Sequence, residues 1–282
     1  MSSAPSQDHS QPRPPTPVEV WQRYDEDEQR LSAHVSERML ELADLRPGLR
    51  VLDVATGRGE PAIRAALRVA PDGVVVGTDV SRDMLAFAQA RADQAGARNL
   101  TLVATDGEHL AGLPAQSFDA ALCRWGFMYF DHPVDALTAA RSRLVPGGKL
   151  VSALWTAPES TSWWSSPRRI LARHAAQPPV SFITPGPFRY ARSEAFRADL
   201  AEAGFAVTHE ESLETAVMES ATAEGLIEWC LAFGLKRALA EQPRSTHDAW
   251  MRDMRREAER HRGADGLYRL GGMTRLVVAR AA

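Results

Sequence analysis

The stretch Val51-Leu52-Asp53-Val54-Ala55-Thr56-Gly57-Arg58-Gly59-Glu60-Pro61-Ala62 decides the fold. A β-rich run delivers a carboxylate at Asp53, a loop of small residues follows, and a helix opens on Pro61. Gly57 and Gly59 let the backbone approach a ligand closely, and Pro61 pre-sets the first helical turn. A strand, a glycine loop and a helix N-terminus in that order suit a nucleoside-bearing ligand. The pattern Gly-x-Gly-x-x-Ala also describes a plain tight turn, so its neighbours must decide.

Outward from it, β-rich and helical runs alternate. The sequence predicts strands at Arg50–Ala55, Val74–Thr78, Leu100–Ala104, Phe118–Cys123 and Lys149–Trp155, with helices at Glu60–Val69, Ser81–Ala95 and Pro133–Leu144. Such alternation implies parallel strands joined by right-handed crossovers, a doubly wound sheet with helices on both faces. Ligands bind past the carboxyl ends of such strands, where strand order reverses. Asp79 ends the second strand, placed to accept hydrogen bonds from vicinal ribose hydroxyls. Asp106-Gly107 ends the third, suited to an adenine amine, and Met84 follows where it can pack against a base. Each acid taken singly suits a cap or turn equally well; three at three successive strand ends point to one nucleoside site.

The flanks are different. Residues 1–17 hold five prolines among polar residues and are expected to be a disordered tail. Residues 18–48 form a helical lead-in, with Leu31, Val35, Met39 and Leu42 at helical spacing. After the core at 49–155, residues 156–192 combine prolines with large aromatics and are predicted to form a lid. The remainder, 193–282, is expected to hold a helix at Ser193–Ala203 capped by Ser193, a short strand at Phe205–His209, helices at Ala221–Leu239 and His247–Arg260 inside a helical insertion 213–270, and a last strand at Met273–Ala279. The whole of 18–282 is read as one domain, its lead-in and lid closing when ligand binds.

Composition excludes several classes. The 282 residues are 44% apolar and 24% charged, enough for a continuous core, and 33 basic against 36 acidic residues give no field to collect nucleic acid. Arg252–Arg262 is interspersed with acids and reads as a solvated helix face. Cys123 and Cys230 lie far apart without metal-ligating companions, so neither a disulfide framework nor a metal site is expected. No membrane-spanning run and no secretory leader is evident, which fits a cytoplasmic protein.

The sequence resembles the class I S-adenosylmethionine-dependent methyltransferases, in particular the small-molecule branch around the ubiquinone/menaquinone C-methyltransferases. The resemblance rests on Val51–Gly59, Gly77-Thr78-Asp79-Val80-Ser81 with Met84-Leu85, Thr105-Asp106-Gly107, Ser117–Ala121, Cys123–Phe130 and Leu144-Val145-Pro146-Gly147-Gly148, and extends from about Trp21 onward. It implies a Rossmann-like, mostly parallel seven-stranded sheet with an antiparallel last strand, an N-terminal helical cap and helical lid insertions. It also implies a cofactor pocket of Asp53, Ala55, Thr56, Gly57, Gly59, Asp79, Val80, Met84, Asp106, Gly107 and Arg124, covered by Trp21 and Tyr24. Ala55 and Thr56 depart from the family's usual glycine and Cys or Ser, but both keep the loop small.

Glycine loops also serve nicotinamide oxidoreductases, and a non-catalytic binding module is the third class; Asp53 inside the first strand favours methyl transfer. The acceptor is expected to be small and largely apolar, aromatic or quinone-like, in a pocket drawn from Trp125, Tyr129, Trp155, Trp163, Trp164, Phe182, Phe188, Trp229 and Phe233. Methyl transfer is an in-line displacement for which alignment supplies most of the rate, so a dedicated catalytic residue is optional. His174, Tyr129 and His132 are the candidate bases, and Arg124 is the candidate partner for an anionic oxygen. The acceptor atom, and whether the chain is a monomer or homodimer, are left open.

Overall fold

A computed structural model describes residues 17–177 and 179–281. Seven strands form one sheet: β1 (Arg50–Val54), β2 (Val74–Asp79), β3 (Leu100–Ala104), β4 (Phe118–Arg124), β5 (Leu144–Trp155), β6 (Phe205–Ser220) and β7 (Tyr268–Ala281). Their spatial order is β3-β2-β1-β4-β5-β7-β6. The first five are parallel, while β7 runs antiparallel between β5 and β6. Strand order therefore reverses between β1 and β4, and the glycine loop leaves the sheet at that crevice.

Helices α1 (Pro17–Leu42), α2 (Ala62–Val69) and α3 (Arg82–Ala95) cover one face; α4 (Pro133–Arg143), α5 (Ser162–Leu171), α6 (Ser193–Glu202), α7 (Ala223–Cys230) and α9 (Arg244–Glu259) pack over the other, and α8 (Lys236–Ala240) joins the last two. Local chemistry sets several boundaries. Ser81 accepts the Met84 N–H at 3.3 Å to open α3, and Gly96 at φ 72° closes it by donating to Ala92 and Asp93. Pro133 opens α4 where no amide partner is required.

The C-terminal part departs from the sequence reading. The predicted short strand Phe205–His209 is a 16-residue β6, and β7 starts at Tyr268. Residues 213–220 and 268–270, expected inside a helical insertion, thus belong to the sheet. Bulges at Val207/His209 and Ala216/Met218 break the period-2 pattern in β6, which hid the strand. The helix expected over Ala221–Leu239 starts at Ala223, capped by Thr222, and is interrupted by a π turn at Leu231–Leu235. Ser193 is not a cap: its hydroxyl is spent on Glu210, at 2.7 Å and 2.8 Å, and Arg192 takes the cap position. Within the expected lid, Ser162–Leu171 is a regular helix hung on β7 by Ser162 and Gly271. A Cβ at Gly271 would stand 2.2 Å from the Thr215 carbonyl, so only glycine lets β6 and β7 lie this close. Of the expected tail, residues 1–17, all but Pro17 lie outside the described residues, and Pro17 is the first residue of α1.

Candidate active site

Two adjoining cavities open beyond the carboxyl ends of the parallel strands. The smaller, about 360 Å³, is bounded by the loop after β1, by α1 and by the aromatic ends of β4, β5, α5 and α7. The second, about 460 Å³, lies over the ends of β2 and β3. They share Ala55, Met84, Trp125 and Tyr129.

The second cavity gathers Asp79, Val80, Met84, Asp106 and Gly107. Asp79 accepts the Gly57 N–H with one oxygen and the Ser81 N–H with the other, both at 2.9 Å, so it fixes the glycine loop against the end of β2. Each oxygen keeps a further lone pair for a hydroxyl. Asp106 accepts the Glu108 N–H and the His109 ring nitrogen, contacts that hold its carboxyl below the usual carboxylate range.

Asp53 stands beneath this floor rather than in it. It is fully buried; Thr56 donates to Oδ2 at 2.6 Å, and Oδ1 has no partner. Burial pushes its carboxyl up to about 7, against the pull of Thr56 and Arg124. Above it, Ala55 adopts φ 55° and Gly57 φ 52°. A Cβ at Gly57 would meet nothing within 4 Å: the space over that residue is cavity, open to a bound molecule.

The first cavity is walled by rings. Trp125 stacks on Trp155 at 4.6 Å and 10°, Trp155 meets Trp163 edge-on, Trp163 meets Trp229, and Phe233 joins Trp229 to Trp21. Trp125 has φ 56°, a left-handed conformation that costs a bulky residue roughly 1–3 kcal/mol and marks functional sites. Its amide donates to Ala153 at 2.8 Å and the Arg124 guanidinium lies 4.7 Å over its ring, which together hold the strained turn. The indole N–H groups of Trp125 and Trp163 are buried without an acceptor.

Arg124 apart, the charged side of this cavity escaped sequence reading. Arg58, inside the glycine loop, pairs with Asp25 and Glu28 of α1 and stacks its guanidinium 4.3 Å over Trp21. Arg124 reaches Glu28 at 3.4 Å and donates to Ser32 at 2.6 Å; Arg91 bridges Asp25 and Glu60, each at 3.3 Å. Burial alone would raise the Glu28 carboxyl, but Arg124 and Arg58 with the Ser32 hydroxyl hold it down at about 2. No local signal marks this network, because its partners stand 30 or more residues apart in sequence and look like solvated helix charges.

Several expected residues lie elsewhere. Gly59 is under the loop against Ile63, and Tyr24 packs on Phe233 in a surface groove with Glu228. Trp164 and Phe188 line a separate cavity beside α5, and Phe182 lines neither of the two joined cavities. His174 binds Asp253 at 3.0 Å on α9, and His132 is an exposed residue preceding α4. Of the three candidate bases only Tyr129 faces the cavities. Among the described residues no cluster of His, Cys, Asp or Glu could hold a metal ion, and no helix is long and apolar enough to cross a membrane.

Residues 51–148 match the family model described as a methyltransferase domain. The chain is 31% identical over 218 residues to nocamycin O-methyltransferase of Saccharothrix syringae, covering 72% of this chain and 75% of that protein. It is 36% identical over 120 residues to the ubiquinone/menaquinone biosynthesis C-methyltransferase of Ectopseudomonas mendocina, where 42% of this chain matches under half, 46%, of the relative. In fold it is similar to an S-adenosylmethionine-dependent methyltransferase from Aquifex aeolicus, with TM-score 0.53 at 19% identity over 69% of this chain and 91% of that one.

Proposed function

Because this chain belongs to the S-adenosylmethionine-dependent methyltransferases, we propose that it methylates a small, largely apolar acceptor, aromatic or quinone-like, within the cavity between Trp125, Trp155, Trp163 and Trp229. The observation that carries this reading is the junction at Ala55, Met84, Trp125 and Tyr129, where the pocket lined by Asp79 and Asp106 opens into an aromatic one. Asp79 takes the ribose hydroxyls, Asp106 the adenine amine, and Val80 and Met84 border the base. Ala55, Thr56 and Gly57 form the floor under the amino-acid end, with Arg58, Arg124 and Glu28 as its charged surroundings, while Trp21 covers it. These residues fit the cofactor: the open face of Gly57 and the spare lone pairs of Asp79 form a cradle with polar contacts still to be made.

When bound, the cofactor supplies a methyl group already activated by a sulfonium. The chain's part is alignment and dryness. The ring wall excludes water and orients a flat acceptor, and the strained Trp125 turn sets the distance between the two pockets. The relatives' names include both an O- and a C-methyltransferase, so likeness does not choose the acceptor atom. Mass spectrometry of reactions with methyl-labelled cofactor against phenols, carboxylic acids, indoles, thiols and prenyl compounds tests the reading. Gain of one labelled methyl group on a ring compound is expected; transfer confined to aliphatic thiols would overturn the acceptor class.

A further inference from the structure

A further cavity, about 640 Å³, lies against another face of α5 and shares no described lining residue with the two joined cavities. One wall is α5 itself, with Trp164, Ser165, Arg168 and Arg169 at helical spacing; the segment from Thr184 to Phe188 faces it. The back of α5 is fastened to α9, where the Pro167 carbonyl accepts the Trp250 indole N–H at 2.9 Å and Ser166 donates to Glu257 at 3.2 Å.

Arg168 is the unusual member of this lining. Its half-buried guanidinium lies 4.5 Å over the Trp164 ring, and Trp164 meets Phe188 edge-on at 4.8 Å. One N–H donates to the Trp164 carbonyl at 3.4 Å. Among the described residues no carboxylate pairs with it. The ionisable group that acts on it is the Cys230 thiol, which burial pushes up to about 12 and so leaves neutral. Its neighbour Arg169 is already paired with Glu257 at 2.5 Å, and Glu159, the carboxylate on the lining, is exposed and does not act on Arg168. The cavity thus presents one uncompensated cation among aromatic and proline rings. A guanidinium stacked on an indole keeps its edge free, and that edge matches a carboxylate in a two-point pair.

Both walls lead to the joined cavities. Helix α5 carries Trp163 into the ring wall. The Gly186 N–H donates to the Met128 carbonyl at 2.9 Å and Arg189 donates to the Phe130 carbonyl, so the facing wall is tied on either side of Tyr129, which lines both joined cavities.

We propose that this cavity is an effector site for a small aromatic carboxylate, held by the Arg168 guanidinium and the Ser165 hydroxyl, with its ring packed among Trp164, Pro187 and Phe188. One uncompensated cation balances one negative charge, which favours a carboxylate over a phosphate dianion. The ligand joins α5 to the Thr184–Phe188 segment and thereby fixes Trp163 and Tyr129 around the joined cavities. Its coupling to the reaction rests on the methyl-transfer reading of those cavities; its binding does not.

Calorimetric titration of indole-3-acetate and of neutral, equally sized indole-3-acetamide into the full chain, with and without saturating S-adenosylhomocysteine, tests this. The acid should bind about tenfold or more tightly than the amide. Arg168→Gln should remove that margin, and Arg168→Lys, which keeps the charge but lacks the planar fork, should restore only part of it. Both variants, without the acid, should bind S-adenosylhomocysteine as the parent does, which shows that they fold. The acid should bind about fivefold more tightly to enzyme saturated with S-adenosylhomocysteine, and by reciprocity should tighten S-adenosylhomocysteine by the same factor. A margin absent from the parent, or one that survives Arg168→Gln, overturns the site. Equal affinity for the acid with and without S-adenosylhomocysteine overturns its role as an effector. Failure of the parent to bind S-adenosylhomocysteine would instead remove the cofactor reading, while the comparison of acid with amide still decides the site.

Discussion

Asp53 is the residue at which environment most changes chemistry. Burial pushes its carboxyl up to about 7 in the folded chain, whereas an unfolded Asp releases its proton at about 4. Between these values the native state binds more protons, so the stability this group contributes at acid pH is lost as pH rises through that window. Asp53→Asn keeps the Thr56 hydrogen bond and removes the titration. Its melting temperature should exceed that of the parent protein at pH 8, with the gap shrinking steadily toward pH 4; a constant gap across that range would show that Asp53 is charged throughout. Asp79 acts differently, since it braces Gly57 and Ser81 while keeping room for two more donors. Asp79→Ala should weaken S-adenosylhomocysteine binding by about 1–3 kcal/mol through the lost charged acceptor. Unchanged calorimetric affinity in a folded variant would place the ribose elsewhere.

At the scale of elements, α1 is the least ordinary. Its buried stripe is Asp25, Glu28, Ser32, Val35, Ser36, Met39 and Leu40, so more than half of the face turned to the protein is polar. Apolar periodicity found only the second half, because acids buried against arginines of other elements look the same in sequence as acids facing water. The first half of α1 is therefore fastened to the glycine loop by charge. Removing one partner of a buried pair costs about 3–5 kcal/mol, since the other charge is left without compensation. Glu28→Gln should accordingly release the N-terminal turns of α1, seen as faster hydrogen exchange around residues 20–32 with exchange in β1 and β4 unchanged. Uniform acceleration across the sheet would mean that the network supports the whole fold rather than the attachment of one helix. Strands β6 and β7 give the converse lesson. They run far past the parallel strands and carry Val217 to the aromatic cavity, a reach that the bulges in β6 obscured.

Taken whole, the molecule encloses its candidate site between two distant parts of the chain. Trp21 from α1 and Trp163 from α5 meet the π turn's Phe233 and α7's Trp229 over the strand ends. Cofactor and acceptor must pass this cover, and the site must then exclude water, so part of it has to open. Hydrogen exchange with and without S-adenosylhomocysteine should show added protection in α1 and in residues 156–192, and almost none in the sheet. Equal protection in the two states would mean that the cover is already closed without ligand, and that entry occurs by another route.

The sequence by itself determined the parallel half of the sheet, the glycine loop and the acids at the ends of β2 and β3. Those features are local: a strand period, a Gly-x-Gly turn and a carboxylate at a strand end are each written within a few residues, and the family resemblance read from them agrees with the later comparisons. Which side chains line the candidate site emerged only from the packing of the folded chain. That packing brought Glu28 and Arg91 to Arg58 from opposite directions along the chain, set Trp125 in a strained turn between two pockets, and turned His174 toward Asp253 and away from the site. Burial and pairing are properties of neighbours distant in sequence, so a charge that looks solvated can be a fastening and a histidine that looks catalytic can be a hydrogen-bond partner of a distant carboxylate.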